Sequence, residues 1–181
     1  MTATGKMDRI LIVCLKRIDG LLLLMPMIRE LRYALPEARI DLLVPESQAG
    51  FARTAPYPNF ILPLPETSAG RLRFLRDSFF MRRRRRFYDV AFLASPPEDL
   101  WFAKLLAKCV GTRKLCYYAQ SESKERHDRS AVVLAPYDGH EVAAGLRMLA
   151  AFDIKPKDDS LPFWERRANR GKLDELAERI G

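Results

Sequence analysis

The densest group of chemically active side chains is a cationic segment between Arg71 and Arg86. It carries eight arginines against one acid, Asp77, while the whole chain of 181 residues has 31 lysines and arginines against 23 acids. The net charge of +8 is therefore mostly local. Concentrated positive charge attracts phosphates and anionic surfaces. The five consecutive residues Arg82, Arg83, Arg84, Arg85 and Arg86 are predicted to bind phosphates of an anionic glycolipid or an anionic membrane surface, unless they form only the solvated end of a helix.

Other ligand classes are disfavoured by what the sequence lacks. No recognition helix, RNP motif or zinc module accompanies the arginines, so nucleic acid is not a predicted partner. His127 and His140 lie too far apart to indicate a metal site, and the three cysteines show no CxxC spacing. The motifs of dinucleotide oxidoreductases, P-loop NTPases and α/β-hydrolases are also missing. We predict neither a metal nor a cofactor.

Targeting signals are missing as well. The odd cysteine count favours a reducing compartment, and no signal-peptide pattern precedes the first aliphatic run. The longest apolar run, Leu21 to Ile28, is far shorter than the ~20 residues that cross a bilayer. We predict a cytoplasmic protein that is soluble or peripheral on the inner membrane.

Aliphatic runs alternate with helical patterns along the whole chain. Strands are predicted at Arg9 to Leu15, 38–45, 60–65, 88–95, 113–118 and 131–136. Helices are predicted at Leu21 to Leu35 with a bend at Pro26, and at 47–55, 71–86, 97–109, 140–152 and 163–180, with a loop at 121–130. This alternation predicts an α/β fold: a Rossmann-like open, mostly parallel sheet with helices on both faces.

Apolar side chains of two of these helices are predicted to face the core. In the cationic helix they are Leu72, Leu75, Phe79 and Phe80, and in the helix that follows the fourth strand they are Trp101, Phe102, Leu105 and Leu106. Trp101 lies near a strand end and is the one residue of this group with an alternative role beside a bound sugar. The prolines at 63 and 65 predict either an edge position or an early end for the third strand.

Ligands of open parallel sheets bind beyond the carboxyl ends of the strands. The segments to examine are Lys16 to Gly20, 45–48, 95–99 and 117–120. In the first of these, Asp19 fits a helix N-cap and Gly20 a flexible turn residue.

Four stretches resemble glycosyltransferase family 9, which includes the heptosyltransferases of lipopolysaccharide core assembly. The longest, ILIVCLKRIDGLLLLMPMIRELRYALPEARIDLLV at 10–44, is similar to the family's opening strand, turn and helix without gaps. YDVAF at 88–92, GTRKLCYY at 111–118 and HEVAAGLRMLAAFDI at 140–154 are similar to later family segments in the same order. The resemblance covers most of the chain.

The resemblance implies two Rossmann-like domains of GT-B type, the first holding the sugar acceptor and the second a nucleotide-sugar donor. Residues 1–160 are expected to form the acceptor-binding domain, and 161–181 a helix leading to a donor domain absent from this chain. Acceptor contacts are expected from Lys16, Arg17, Gly20, Ser95 and Arg113.

The resemblance also implies a catalytic base, but the motif departs from the family at that point. The family has a glycine followed by an aspartate that removes the acceptor's proton. Here Asp19 occupies the glycine's place and Gly20 the aspartate's, so Asp19 is a candidate base displaced by one residue. Cys14 and the LASP segment at 93–96 also replace the usual family residues.

Two hypotheses of function follow. In the first, the chain is the acceptor-binding half of a heptosyltransferase-like enzyme that transfers a sugar from a nucleotide-sugar to a lipopolysaccharide-core or related glycolipid acceptor, and is inactive alone. In the second, it is a non-catalytic Rossmann-like binding or scaffold module. The reversed Asp19-Gly20 pair separates the two hypotheses.

Overall fold

A computed structural model describes residues 7–82, 88–119, 130–137 and 139–162. The strands are β1 (Arg9–Val13), β2 (Arg39–Pro45), β3 (Phe60–Leu64), β4 (Tyr88–Leu93), β5 (Thr112–Tyr118) and β6 (Ala131–Leu134). The helices are α1 (Ile18–Ala34), α2 (Glu46–Ala52), α3 (Ser68–Arg82), α4 (Leu100–Val110) and α5 (Glu141–Ala150), with a 3₁₀ turn at Pro97–Asp99. Arg83 to Arg86, most of the predicted loop at 121–130 and the predicted helix at 163–180 lie outside the described residues.

The six strands form one sheet in the order β3-β2-β1-β4-β5-β6. Every pairing is parallel, and Ile10 at the centre aligns with Ile40 of β2 on one side and Val90 of β4 on the other. This is the strand order of a Rossmann sheet, with the direction of winding changing between β1 and β4. The predicted fold class is confirmed.

Alternate residues of the central strands enter two separate cores. From β1, Ile10 and Ile12 pack with α1, α2 and α5 on one face, whereas Leu11 and Val13 pack with α4 and part of α3 on the other. All four side chains are fully buried. Burial on both faces explains why the strand is a continuous aliphatic run.

The edges of the sheet are formed by β3 and β6. Pro63 lies inside β3, where its missing N–H is tolerated because only one side of the strand is paired. The predicted edge position of this strand is confirmed. Gly111 ends α4 with a φ of 95°, a left-handed conformation that glycine adopts without a steric penalty.

The first helix begins earlier than the sequence pattern predicts. The N–H of Leu21 donates to the carbonyl of Arg17 at 3.0 Å, which makes Arg17 the N-cap residue. The predicted N-cap role of Asp19 and turn role of Gly20 are therefore wrong, since both lie in the first turn of α1. An acid in this turn is favoured by the helix dipole without capping a backbone group. The helix continues through Pro26.

The core-facing predictions for α3 and α4 are wrong at several positions. Phe74 and Leu75 contact the core from α3, while Leu72 and Phe79 are exposed. In α4, Leu106 is buried, but Trp101 and Leu105 are exposed. The side chain of Phe80 lies outside the described residues. Each helix is rotated so that one apolar stripe meets the sheet and a second stripe is left on the outside.

A buried carboxylate joins three strands at the amino edge of the sheet. Asp41 of β2 has no solvent exposure, and it accepts hydrogen bonds from Arg39 Nε at 2.8 and 2.9 Å and from the Tyr88 hydroxyl at 2.6 Å. Burial and the bond to Asp41 raise the pKa of Tyr88, so its hydroxyl stays a donor. Arg9 of β1 lies over the Tyr88 ring at 5.7 Å. This cluster ties β1 and β4 to β2.

We predict that Tyr88→Phe destabilises the protein by about 1–3 kcal/mol, because the buried Asp41 carboxylate loses one of its two donor residues and keeps only Arg39. Urea unfolding measures the change. Tyr33→Phe, the same substitution on an exposed residue of α1, is the matched control and should leave the midpoint unchanged. Equal midpoints for both variants would contradict the role given to the Asp41 hydrogen bond.

Candidate functional site

A cavity of about 230 Å³ opens at the carboxyl edge of the sheet. Its walls come from the ends of β1, β4, β5 and β6 and from the facing sides of α1 and α5. The cavity thus lies beside the change in winding direction between β1 and β4, where ligands of open parallel sheets bind. Its size is below the ~300 Å³ at which pockets for drug-sized ligands begin, so it suits a single small group such as one sugar ring.

The polar part of the wall is an ion pair between two elements. Lys16 follows β1, and its Nζ lies 2.9 Å from Oε1 of Glu141 in the first turn of α5. Gln48 of α2 donates from its amide to the Lys16 carbonyl at 2.7 Å, which holds the backbone of the β1–α1 turn. Both ends of the ion pair remain partly exposed to solvent. A ligand hydroxyl, carboxylate or phosphate can therefore reach either charge.

Ser95 contributes a hydroxyl to the same wall. Its Oγ lies 3.4 Å from the Leu15 N–H and 3.5 Å from the Val13 carbonyl, so it links the ends of β1 and β4. Both distances are long for hydrogen bonds. The hydroxyl can therefore turn toward a ligand at little cost.

The opposite wall is aromatic. Tyr118 at the end of β5 stacks on Tyr137, with ring centroids 6.1 Å apart, and its hydroxyl donates to the Ala144 carbonyl at 2.8 Å. Burial raises the pKa of Tyr118 to about 12, so this hydroxyl is neutral at physiological pH. The guanidinium of Arg147 lies over the Tyr137 ring, 4.5 Å from its centroid. Tyrosine faces of this kind can pack against the C–H surface of a sugar ring.

Gly20 explains how Lys16 reaches the cavity. A Cβ atom at position 20 would lie 2.7 Å from both Cβ and Cδ of Lys16, closer than real side chains approach. The lysine stem therefore occupies the space that any larger residue at position 20 would need. Gly20 itself is buried and contributes no functional group.

Two other predicted residues lie outside the cavity wall. Arg17 and Asp19 are exposed at the start of α1, next to the cavity but not among the residues that line it. Among the described residues no hydrogen bond or ion pair involves the Asp19 carboxylate. It is exposed and accessible to a ligand at the carboxyl edge.

Arg113 and the last residue of α3 lie at the opposite end of the sheet from the cavity. Arg113 is at the start of β5, and its Nη1 lies 3.8 Å from Oδ1 of Asp89 near the start of β4. It is about 16 Å along the strand from Tyr118, at the end of β5. The structure therefore does not bring it to the cavity. Arg82 ends α3, about 21 Å along the helix axis from Ser68 at the carboxyl edge. The end of α3 is therefore remote from the carboxyl edge, where the cavity opens.

Nucleophilic and metal chemistry are not supported by the described part of the site. Cys14 follows β1 but is fully buried, and burial raises the pKa of its thiol to about 11, which keeps it protonated. No group of three metal-ligating side chains occurs among the described residues. The helices in the described ranges include none that is long and apolar enough to span a membrane.

Sequence reasoning missed three residues of the site: Tyr118, Tyr137 and Glu141. Tyr118 lies in a segment that the strand-end rule selects, but the sequence does not separate it from its neighbours. Tyr137 follows a predicted strand, and the same rule applied to that strand would have found it. Glu141 could not be found, because only the packing of α5 against α1 brings it to Lys16.

The parallel sheet, its strand order and the cavity at the switch point define a Rossmann-like domain. Comparison with protein-family models and with curated proteins finds no match. Comparison with solved structures finds a glycosyltransferase of family 9 from Veillonella parvula DSM 2008, with a TM-score of 0.71 and 13% identity, covering 100% of this chain and 52% of that one.

Two heptosyltransferases from E. coli share the same fold. ADP-heptose LPS heptosyltransferase II has a TM-score of 0.61 and 17% identity over 96% of this chain and 50% of its own. Heptosyltransferase WaaC, solved with ADP-2-deoxy-2-fluoro heptose, has a TM-score of 0.59 and 14% identity over 87% of this chain and 50% of its own. The chain therefore has the fold of family 9 glycosyltransferase structures and spans about half their length. The resemblance predicted from the sequence is confirmed at the level of fold.

We predict opposite effects for the same substitution at two helical glycines. Gly20→Ala should destabilise the protein by about 1–3 kcal/mol, because the new methyl group displaces the Lys16 stem. Gly50→Ala in α2 should stabilise it by about 0.5–1 kcal/mol, because nothing lies within 4 Å of the new atom and alanine favours the helix. Thermal unfolding of the two variants measures both. A stabilising effect of Gly20→Ala would contradict this account, because it would show that the Lys16 stem does not need the space left by a glycine at position 20.

Proposed function

We propose that this chain is the acceptor-binding half of a glycosyltransferase resembling the family 9 heptosyltransferases. The observation that carries the proposal is the cavity at the switch point of a sheet whose fold those enzymes share. Residues 1–160 form the acceptor-binding domain in this proposal, and 161–181 lead toward the domain that binds the donor. The acceptor class is a lipopolysaccharide-core or related glycolipid sugar.

The composition of the cavity suits an anionic saccharide. Lys16 offers an ammonium group to a phosphate or carboxylate, and Glu141 and Ser95 can accept hydrogen bonds from ring hydroxyls. Tyr118 and Tyr137 provide an apolar wall. Few convergent polar groups on a largely apolar surface are typical of small-molecule sites.

The nucleotide-sugar is assigned to the other half of such an enzyme. The chain spans about half the length of the structures it resembles; one of these, WaaC, was solved with ADP-2-deoxy-2-fluoro heptose, and another is an ADP-heptose LPS heptosyltransferase. The 181-residue chain alone is therefore proposed to transfer no sugar. The chain itself is proposed to be cytoplasmic and peripheral on the inner membrane, with the run Arg82 to Arg86 contributing positive charge.

We predict that the chain binds lipopolysaccharide-core oligosaccharide but not ADP-linked sugars in calorimetric titrations. Lys16→Gln should weaken oligosaccharide binding about tenfold, as expected for loss of one charged hydrogen bond. Arg113→Gln, which removes a cation at the opposite edge, is the control and should bind like the parent. Micromolar binding of an ADP-sugar, or equal effects of the two substitutions, would contradict the proposal.

Asp19 is the proposed catalytic base, because it is an exposed carboxylate at the carboxyl edge, one position from the family's aspartate. A base at the carboxyl edge would accept the proton of the acceptor hydroxyl while the oxygen of that hydroxyl attacks the anomeric carbon of the donor. Glu141, the other nearby carboxylate, is paired with Lys16 and is assigned to acceptor binding.

We predict that Asp19→Asn lowers turnover by ~10²–10⁴ when transfer is assayed with the donor-binding half supplied, because general-base catalysis typically contributes that much. Oligosaccharide binding should persist, since Asn keeps the size of the side chain. Ser47→Ala, in the first turn of α2, is a control for the assay. A silent Asp19→Asn would favour the alternative hypothesis, in which the reversed pair marks a non-catalytic binding or scaffold module.

A further inference from the structure

The outer faces of α3 and α4 carry apolar side chains that the fold does not bury. Leu72 is 70% exposed, Trp101 68%, Phe79 57% and Leu105 39%. The helices already contact the sheet through other residues, so these side chains form a second, outward stripe. Exposed large apolar groups that cluster in this way mark interaction surfaces.

The four residues belong to one continuous surface. Leu72 and Phe79 are seven residues apart, two turns along the same side of α3, and Trp101 and Leu105 are one turn apart on α4. The helices are joined by Arg71 of α3, whose guanidinium lies 5.5 Å from the Phe102 ring centroid, and that ring lies 5.5 Å from Trp101. We call this surface the α3–α4 face.

The same face is strongly cationic. Between Ser68 and Arg82, α3 has four arginines and one acid, and α4 has two lysines and no acid. The single acid, Asp77, pairs with two arginines. Its Oδ2 lies 3.6 Å from Arg73 Nε and its Oδ1 lies 3.2 Å from Arg76 Nη2, so two cations share one carboxylate. An anionic bilayer offers an apolar layer beneath a layer of anionic headgroups, which matches this combination of exposed apolar and cationic side chains.

The face adjoins the cavity. Leu100 lines the cavity wall, and Trp101 is the next residue on the outer side of the same helical turn. A bilayer beneath the α3–α4 face would therefore lie next to a residue of the cavity wall. Tryptophan is also the side chain that most favours the headgroup level of a membrane.

We propose that the α3–α4 face docks on an anionic lipid bilayer, with Leu72, Trp101 and Leu105 inserted at the headgroup level and Arg73 and Arg76 contacting lipid phosphates. The assignment extends the proposed function, since it places a glycolipid acceptor beside the cavity. It concerns lipid alone, however, and its test requires neither the acceptor nor sugar transfer.

The test uses the full chain carrying Trp164→Phe, so that Trp101 is the remaining tryptophan. With vesicles of phosphatidylcholine containing phosphatidylglycerol, the emission of Trp101 should shift to shorter wavelength, and the protein should float with the vesicles. Vesicles of phosphatidylcholine alone should bind much less. Added salt should weaken binding, because charges near the surface are screened within ~8 Å at physiological ionic strength.

Matched variants locate the contact. Leu72→Ser and Leu105→Ser should each weaken vesicle binding by up to about tenfold, the factor expected for loss of a partly inserted leucine. Phe60→Ser removes a similarly exposed apolar side chain from the amino end of β3 and should bind like the parent. Circular dichroism establishes that all three variants are folded.

Three outcomes would overturn the proposal. Absence of binding to anionic vesicles would exclude the lipid partner. Binding without a shift in Trp101 emission would mean that another surface meets the membrane, such as the run at Arg82 to Arg86. Trp101 emission that is already at short wavelength in free protein, and protected from iodide, would mean that the chain or a second copy covers the face. None of these outcomes bears on oligosaccharide binding, which tests the proposed function separately.

Discussion

The rest of the structure depends on the burial of β1 at the centre of the sheet. Its side chains reach both cores, and its two neighbours, β2 and β4, are wound in opposite directions from it. Because β1 lies between the two halves of the sheet, the chain that leaves it and the chain that leaves β4 must separate to opposite faces. That separation opens the crevice in which Lys16 and Ser95 meet. The strand order therefore determines where the site lies, and the side chains determine what it can bind.

The two ends of the sheet use charge differently. At the amino edge, Asp41 is fully buried and its hydrogen bonds are satisfied by Arg39 and Tyr88, so the cluster ties strands together and leaves little for a ligand. At the carboxyl edge, Lys16 and Glu141 keep part of their surface in water, where an ion pair contributes only ~0–1 kcal/mol. A pair that adds so little stability is easily opened by a ligand. This contrast supports the proposal that a ligand binds at the carboxyl edge, whereas the cluster at the amino edge is structural.

The sequence alone predicted the alternation of strands and helices, the parallel sheet and the edge position of β3, because each rests on local patterns that the neighbouring elements reinforce. It could not predict which side of α3 faces the sheet. Apolar residues surround that helix, so Leu72 and Phe74 compete for the core and only packing decides between them. Nor could it predict the first turn of α1, where a helix start three residues earlier converts Asp19 from a cap into a first-turn acid. Glu141 enters the site through helix packing, which no local pattern records.

The reversed order of Asp19 and Gly20 is linked to the position of the Lys16 side chain. In this backbone an aspartate at position 20 would need space that Lys16 already fills, because the stem of the lysine crosses the glycine within 2.7 Å of a Cβ atom there. The family's order and the Lys16–Glu141 ion pair are therefore incompatible unless the β1–α1 turn moves, and Gln48 holds that turn through the Lys16 carbonyl. The position of Lys16 in the cavity wall and the glycine at position 20 therefore depend on each other. Since that arrangement excludes a carboxylate from position 20, the nearest place on α1 from which a carboxylate can still reach the carboxyl edge is the exposed position 19.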